Sequence, residues 1–279
     1  MDTKNVKKSV VESYGKLAKS RSNNLFTKLF ACCDPIETAQ KVAENIGYSQ
    51  EDLAQVPKDA NLGVGCGNPA ALTTIKQGET VVDLGSGAGF DSFIVARTVG
   101  ENGKVIGVDL STEMLALANK NAQKGRYTHV EFVKGDIEAL PLADNVADHV
   151  ISNCVINLSL HKDKVYQEAY RVLKTGGSLA ISDIVLEKEL PDFIKESLAG
   201  HIACVSGAEK LETYLAYVKE AGFEDIKLVA KKAFPLELML TDPQLLKIAE
   251  EMNFDLESEA AKDIAARVTS ISLIAKKLK

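Results

Sequence analysis

The stretch that decides the fold is Thr80-Val81-Val82-Asp83-Leu84-Gly85-Ser86-Gly87-Ala88-Gly89, an apolar run that ends in three alternating glycines. A strand that turns into a helix through glycines lets the backbone approach a ligand closely and points the helix amino terminus at it. The Gly-x-Gly-x-Gly spacing differs from the Gly-x-Gly-x-x-Gly spacing expected of a dinucleotide site. Asp83 would gain nothing from a pyrophosphate, but it would attract the ammonium group of a methionine-type ligand.

Short β-branched runs alternate with segments of helical period on the carboxyl side of this turn. The predicted strands are Thr80 to Leu84, Lys104 to Asp109, Val130 to Lys134, Ala147 to Asn153, Ser178 to Val185, Ile226 to Lys231 and Val268 to Lys276. The predicted helices are Phe90 to Val99, Thr112 to Lys124, Lys162 to Val172 and Glu209 to Ala221. This alternation predicts a doubly wound, mostly parallel α/β sheet of seven strands. An antiparallel last strand would close the sheet after an insert, Pro235 to Arg267.

Two further carboxylates fall where predicted strands end. Asp109 closes the second strand, 20 residues after Gly89, and is placed to accept hydrogen bonds from both hydroxyls of a ribose. Asp136 follows the third strand and is placed to accept from an adenine amino group. Because open parallel sheets bind their ligands at the carboxyl ends of the strands, both side chains point to one site.

Composition excludes several classes of protein. The net charge of −6 gives no electrostatic footprint for nucleic acid. The longest stretch without Asp, Glu, Lys or Arg runs from Ala60 to Ile75 and is too short to span a bilayer. Five cysteines without an export signal predict reduced thiols rather than a disulfide scaffold. We therefore expect a cytoplasmic monomer that binds neither nucleic acid nor a membrane.

The cysteines are spread along the chain, and none has the local spacing of a zinc site. Cys32 and Cys33 form a doublet ahead of Asp34-Pro35, in a predicted loop. Cys66 stands between two glycines, Cys154 directly follows the fourth strand, and Cys204 comes after the fifth. Each could be a small buried hydrophobic residue. The last three could also converge through the fold.

The nucleotide landmarks, over about Ala60 to Val185, resemble the S-adenosylmethionine site of class I methyltransferases. They comprise the glycine turn, Asp83, Asp109, Gly135-Asp136 and the turn Lys174-Thr175-Gly176-Gly177. The resemblance implies a Rossmann-like fold with S-adenosyl-L-methionine as cofactor. It implies contacts to the cofactor from Asp83, Gly85, Ser86, Gly87, Gly89, Asp109, Leu110, Met114, Asp136, Ile137, Asn153 and Tyr14.

The segments that carry the cysteines are similar to those of the arsenite S-adenosylmethionine methyltransferase family, over roughly Tyr14 to Phe223. They are Tyr14-Gly15-Lys16 with Cys32-Cys33, then Asn61 to Pro69, Ser152 to Leu158 and Ala203 to Ala208. The resemblance implies that Cys66, Cys154 and Cys204 hold trivalent arsenic. It also implies that Cys32 or Cys33 forms a disulfide with Cys66 during turnover, with thioredoxin or another dithiol as reductant.

The same resemblance suggests how the chain is divided. Residues 1–60 would form a basic arm with the cysteine doublet, 61–185 the cofactor domain, and 186–279 the arsenic-site segment and the last strands. Tyr14-Gly15-Lys16 would be a lid over the cofactor or part of an ordinary basic amphipathic helix. Two alternatives are a C- or O-methyltransferase of a small organic molecule with structural cysteines, and a non-enzymatic thiol-based protein that binds metalloids.

Overall fold

The computed structural model of the chain describes residues 3–22, 35–202, 204–233, 250, 255 and 258–279. Its strands are β1 (Thr80–Leu84), β2 (Lys104–Asp109), β3 (Val130–Lys134), β4 (Ala147–Asn153), β5 (Leu173–Leu186), β6 (Glu224–Ala233) and β7 (Val268–Lys276). Its helices are α1 (Thr3–Ser22), α2 (Pro35–Asn45), α3 (Gln50–Gln55), α4 (Phe90–Val99), α5 (Thr112–Gly125), α6 (Lys162–Val172), α7 (Asp192–Lys195), α8 (Leu198–Ile202), α9 (Leu211–Glu220) and α10 (Glu259–Ala265). Cys32, Cys33 and most of the predicted insert lie outside these residues.

The seven strands form one sheet in the order β3-β2-β1-β4-β5-β7-β6. Pairing is parallel from β3 to β5, and β7 runs antiparallel to both of its neighbours. The predicted α/β fold with an antiparallel last strand is therefore confirmed. The strand order reverses between β1 and β4, and the crevice at the carboxyl ends of those two strands is where open sheets of this kind bind ligands.

The strands next to this crevice are apolar on both faces, as expected when helices cover both sides of a parallel sheet. Val82 and Leu84 of β1 pack in the cluster that contains Tyr166 of α6 and Tyr214 of α9. Val81, which points to the other face, packs against Val95 and Val99 of α4 and its neighbours. Packing on both faces of β1 thus fixes the position of the strand end from which the glycine turn begins.

The fifth strand begins earlier than predicted, at Leu173 instead of Ser178. The turn predicted ahead of the strand, Lys174-Thr175-Gly176-Gly177, is therefore part of β5. At this turn the pairing of β5 with β4 is irregular, because the register shifts between Ala147 and His149. Gly176 has φ +85°, and its N–H donates to the carbonyl of Lys277 at 2.6 Å. Because this end of the chain supplies hydrogen-bond partners, the turn stays in the ladder.

The amino-terminal helix α1 lies against α5 and α8. Lys7 donates to Asp136 and to Glu138, in each case at 2.6 Å, and Lys19 pairs with Glu113 of α5 at 2.9 Å. Two basic side chains of this helix are therefore paired with acidic groups that follow β2 and β3. Across the described ranges, every helix is too short or too polar to cross a bilayer.

Candidate active site

The glycine turn after β1 is held from the end of β2. Gly87 has φ +53°, and its N–H donates to Oδ2 of Asp109 at 2.9 Å. The other carboxylate oxygen of Asp109 accepts from the N–H of Ser111 at 2.8 Å. Burial raises the pKa of Asp109, although these backbone N–H groups act to lower it. The carboxylate keeps further lone pairs for a ligand, since each oxygen can accept two hydrogen bonds.

The turn has an unsatisfied polar group of the kind that a bound ligand would satisfy. Ser86 Oγ is buried and has no hydrogen-bond partner among the described residues. Such orphaned polar atoms are rare in folded proteins and need a partner such as a ligand or water. Met114 of α5 is buried beneath the turn, and Leu110 is half-buried beside Asp109. The polar and apolar groups present therefore fit an adenosyl ligand.

Two buried carboxyl groups lie below the turn. Asp83 accepts from the hydroxyl of Ser92 at 2.6 Å, and Asp91 accepts from the hydroxyl of Tyr48 at 2.5 Å. Burial raises the pKa of Asp83 well above its ordinary value and that of Asp91 to about 6. A nearby ammonium group would stabilise the ionised form of either carboxyl. The sequence analysis predicts such an ammonium group on the ligand that Asp83 attracts.

The adenine side of the predicted site is in contact with α1. Oδ2 of Asp136 is bound by Lys7, while Oδ1 accepts from the N–H of Glu138 at 3.0 Å. Ile137 packs against the main core cluster. The acceptor predicted for the adenine amino group is thus shared with a lysine that belongs to the amino-terminal helix.

Three thiols from distant segments meet at the carboxyl edge of β4. The sulfur atoms of Cys66 and Cys154 and a carboxylate oxygen of Asp183 all lie within 4.8 Å of one another. The Cys204 thiol donates to the Cys154 carbonyl at 2.9 Å and also contacts the Cys154 sulfur. Cys154 and Cys204 both have left-handed backbones, with φ +59° and +63°. Such strain in non-glycine residues is concentrated at functional sites.

All three thiols are in their neutral form at neutral pH. Burial raises the pKa of Cys66 to about 11. Contact with Cys204 acts to lower the pKa of Cys154, but contact with Cys66 and burial raise it well above the usual value. The pKa of Cys204 is also raised well above the usual value, by contact with Cys154 and by burial. The buried site therefore favours the neutral thiol over the thiolate at all three positions.

Asp183 is a residue of this site that the sequence analysis missed. It is fully buried on β5, where its carboxylate accepts from Asn157 at 2.8 Å, from Tyr214 at 2.9 Å and from the N–H of Ile184. Burial raises its pKa to about 7, although the hydrogen bonds from Ile184 and Tyr214 and the charge of Lys162 act to lower it. The signal that could have found it is that Asp183 is the one charged residue in the predicted strand Ser178 to Val185.

Two residues predicted to bind the cofactor, Tyr14 and Asn153, have side chains that contact the thiol segments. The Tyr14 hydroxyl donates to the carbonyl of Ile202 at 3.2 Å and also interacts with the Cys204 thiol. The Asn153 side-chain oxygen accepts from the N–H of Cys66 at 3.0 Å. Because that amide is committed to the Cys66 loop, any contact between Asn153 and the cofactor would come from its main chain.

The fold and the site together define a class I methyltransferase. A family model described as a methyltransferase domain matches residues 75–232, and the chain belongs to this family. The chain is similar to an arsenite methyltransferase of Halobacterium salinarum, at 45% identity over 200 residues, which covers 72% of this chain and 51% of that protein. It is also similar to a human arsenite methyltransferase, at 33% identity over 242 residues, which covers 83% of this chain and 62% of that protein.

A solved structure shares the same architecture. It is an arsenic (III) S-adenosylmethionine methyltransferase from Chlamydomonas reinhardtii, with a TM-score of 0.62 and 29% identity, and the match covers 89% of this chain and 75% of that one. The chain thus spans only about half to two thirds of the length of the curated relatives named above.

The raised pKa of Asp183 predicts a stability effect that depends on pH. A carboxyl whose pKa is higher in the folded than in the unfolded chain costs stability as pH rises between the two values. We therefore expect Asp183→Asn to be more stable than the wild type at pH 8 by about 2 kcal/mol, and this gain to shrink as pH falls from about 7 towards 4. Urea unfolding at several pH values measures this difference.

Asp148 supplies the matched control for that measurement. Partial burial acts to raise the pKa of Asp148, but hydrogen bonds from Lys174 and from the N–H of Thr80 outweigh that effect. The pKa of Asp148 is therefore lower than its ordinary value. Asp148→Asn should therefore be less stable than the wild type at pH 7, and this deficit should vanish as pH falls through the folded-state pKa. If Asp183→Asn lost stability at pH 8 as Asp148→Asn does, the high pKa of Asp183 would be wrong.

The pKa of Cys66 predicts slow alkylation. At pH 8 a thiol of pKa about 11 holds about a hundredfold less thiolate than one at the usual value of 9.0, while the nucleophilicity of that thiolate is somewhat greater. We expect iodoacetamide to modify Cys66 at least about tenfold more slowly in the folded chain than in urea. Mass spectrometry of the Cys66 peptide gives both rates, and equal rates would contradict the burial of the thiol.

Proposed function

We propose that the chain is an arsenite methyltransferase, which moves the methyl group of S-adenosylmethionine to trivalent arsenic held by Cys66, Cys154 and Cys204. One observation carries this proposal: thiols from three distant segments meet beside the glycine turn of a methyltransferase fold. Gly85 of that turn faces Val155, the residue after Cys154, so closely that a methyl group on Gly85 would overlap the valine. The similarity to arsenite methyltransferases of two organisms supports the choice of substrate.

Neutral thiols suit the capture of arsenite. In arsenous acid, As(OH)₃, each arsenic–sulfur bond forms as a thiol replaces a hydroxyl, which leaves as water with the thiol proton. Three thiols therefore replace three hydroxyls with no net release of protons, so the raised pKa values do not oppose binding. Sulfur is also the donor that soft ions prefer over oxygen. The product is a pyramidal arsenic centre with three sulfur ligands.

The chain supplies position rather than proton transfer. When bound, S-adenosylmethionine supplies a methyl group on a sulfonium centre, and the arsenic lone pair is the nucleophile that accepts it. No general base is needed, because the nucleophile is a lone pair and no O–H or N–H bond must break. Holding two reactants in attack geometry contributes on the order of 7–11 kcal/mol. Cys154, directly after β4, and Cys204, whose thiol donates to the Cys154 carbonyl, would serve this end.

We further propose that thiols close the catalytic cycle. Methylated arsenic is formally pentavalent, and two electrons return it to the trivalent state. Cys66 and either Cys32 or Cys33 would supply these electrons by forming a disulfide, which thioredoxin or another dithiol then reduces by exchange. A reducing compartment such as the cytoplasm suits this cycle. Support comes from the glycines on either side of Cys66, whose backbone freedom suits a cysteine that changes its partner during the cycle.

Single thiol replacements test the proposal. We expect Cys154→Ser and Cys204→Ser to lower arsenite methylation by at least about a hundredfold, because a hydroxyl does not replace a thiolate on a soft centre. Binding of S-adenosylmethionine should persist in both. The assay incubates each protein with arsenite, the cofactor and a dithiol, and separates the methylated arsenicals by chromatography. Calorimetry measures the affinity for the cofactor.

Ser206→Ala is the matched control for that experiment. Ser206 lies two positions from Cys204, and its hydroxyl donates to the carbonyl of Ile194, so its loss perturbs the same segment without removing a thiol. This variant should keep arsenite methylation near the wild-type rate. Full arsenite methylation in Cys154→Ser or Cys204→Ser would refute the three-thiol site. Methylation of a small organic acceptor that survives both changes would favour a C- or O-methyltransferase.

A further inference from the structure

The loop that carries Cys66 is rich in glycine and has little conformational preference of its own. Gly63, Gly65 and Gly67 flank the cysteine, and the first two have φ +72° and +149°. A glycine-rich backbone loses more conformational entropy on ordering than any other. Cys66 therefore needs side chains from elsewhere in the fold to hold its sulfur at a fixed distance from that of Cys154.

Asn153 makes two of the hydrogen bonds that hold the backbone around Cys66 in place. Its Oδ1 accepts from the N–H of Cys66 at 3.0 Å, and its Nδ2 donates to the carbonyl of Gly67 at 2.9 Å. The Cys66 carbonyl accepts from the hydroxyl of Ser270 at 2.6 Å. The Asn153 side chain thus binds the backbone on both sides of the Cys66–Gly67 peptide bond, at the Cys66 N–H and at the Gly67 carbonyl. Since Asn153 directly precedes Cys154, the same residue joins two of the three thiol segments.

The orientation of the Asn153 amide is fixed by partners on the far side. Its Nδ2 also lies 3.0 Å from Oδ2 of Asp91 and 2.9 Å from the hydroxyl of Tyr48, which itself donates to Asp91. A flipped amide would set Nδ2 against the N–H of Cys66 and Oδ1 against the Asp91 carboxylate. Both contacts would be repulsive, so Asp91 and Tyr48 allow only the orientation that accepts from Cys66.

We propose that Asn153, backed by Asp91 and Tyr48, is the positioning residue that brings Cys66 onto arsenic as its third sulfur ligand. This inference rests on the proposed function. Cys154 and Cys204 are in direct contact with each other, whereas Cys66 lies on a separate loop whose backbone Asn153 binds on both sides of the cysteine. Asn153 therefore determines whether the site offers two thiols or three.

A comparison of two arsenicals shows how many thiols of the site bind arsenic. Arsenous acid has three hydroxyls that thiols can replace, whereas phenylarsenous acid has two and is satisfied by Cys154 and Cys204. Each replacement forms one As–S bond, breaks one As–O bond and releases one water. Loss of Asn153 should thus weaken the binding of arsenite and spare that of phenylarsenous acid. A general loss of structure would weaken both.

The experiment measures the binding of both arsenicals by calorimetry for the wild type, Asn153→Ala and Cys66→Ser. We expect Asn153→Ala to bind arsenite at least about tenfold more weakly, and phenylarsenous acid within about twofold of the wild type. X-ray absorption at the arsenic edge should show three sulfur ligands in the wild type and two in Asn153→Ala. Hydrogen exchange should speed up over residues 61–69 in that variant, with or without arsenic.

Asn68→Ala is the matched control. Asn68 lies two positions after Cys66, but its amide bonds the carbonyl of Gly47 and the N–H of Ala71. It should bind arsenite through three sulfurs, as the wild type does. Wild-type arsenite affinity with three sulfurs in Asn153→Ala would overturn the inference, as would an equal loss of both arsenicals or unchanged hydrogen exchange. Failure of the wild type to bind arsenite, or three sulfurs in Cys66→Ser, would overturn the proposed function and the inference with it.

Discussion

The site depends on the contact between two loops, one after β1 and one after β4. In the chain, 62 residues (85–146) separate the end of β1 from the start of β4, but the two strands are direct neighbours in the sheet. Gly85 on the first loop faces Val155 on the second, and no larger residue fits there. This close approach sets the glycine turn beside Cys154, so the cofactor side and the thiol side of the site share one wall.

The groups gathered at this wall are costly to bury without ligands. Asp83, Asp91 and Asp183 all have raised pKa values, and three thiols are held neutral in the same region. Their hydrogen bonds offset only part of that cost, as the orphaned Ser86 hydroxyl and the left-handed backbones of Cys154 and Cys204 show. Proteins accept such local strain where ligand binding repays it. A ligand that pairs with these buried groups would therefore recover part of their desolvation cost as binding free energy.

The sequence predicts the strands that carry the site better than the side-chain contacts that hold its residues in place. Periodicity and glycines locate β1, β2, β3, β4 and β7 to the residue, because buried parallel strands are short apolar runs with turn residues at their ends. The start of β5 and the role of Asp183 were missed, since both depend on contacts with distant segments. The amide of Asn153 reaches Cys66 across 87 positions, and the Tyr14 hydroxyl reaches Ile202 across 188. No local pattern encodes such contacts.

Helix α1 connects the two halves of the site. Lys7 is bound to Asp136 and Glu138 on the adenine side, and seven positions later Tyr14 reaches the carbonyl of Ile202 and the Cys204 thiol. Because one rigid helix makes both contacts, it cannot leave one end of the crevice and keep its full set of bonds at the other. A displacement of α1 that breaks the Lys7 ion pairs would therefore also disturb the contacts of Tyr14, so the predicted adenine acceptor and the Cys204 segment share one support.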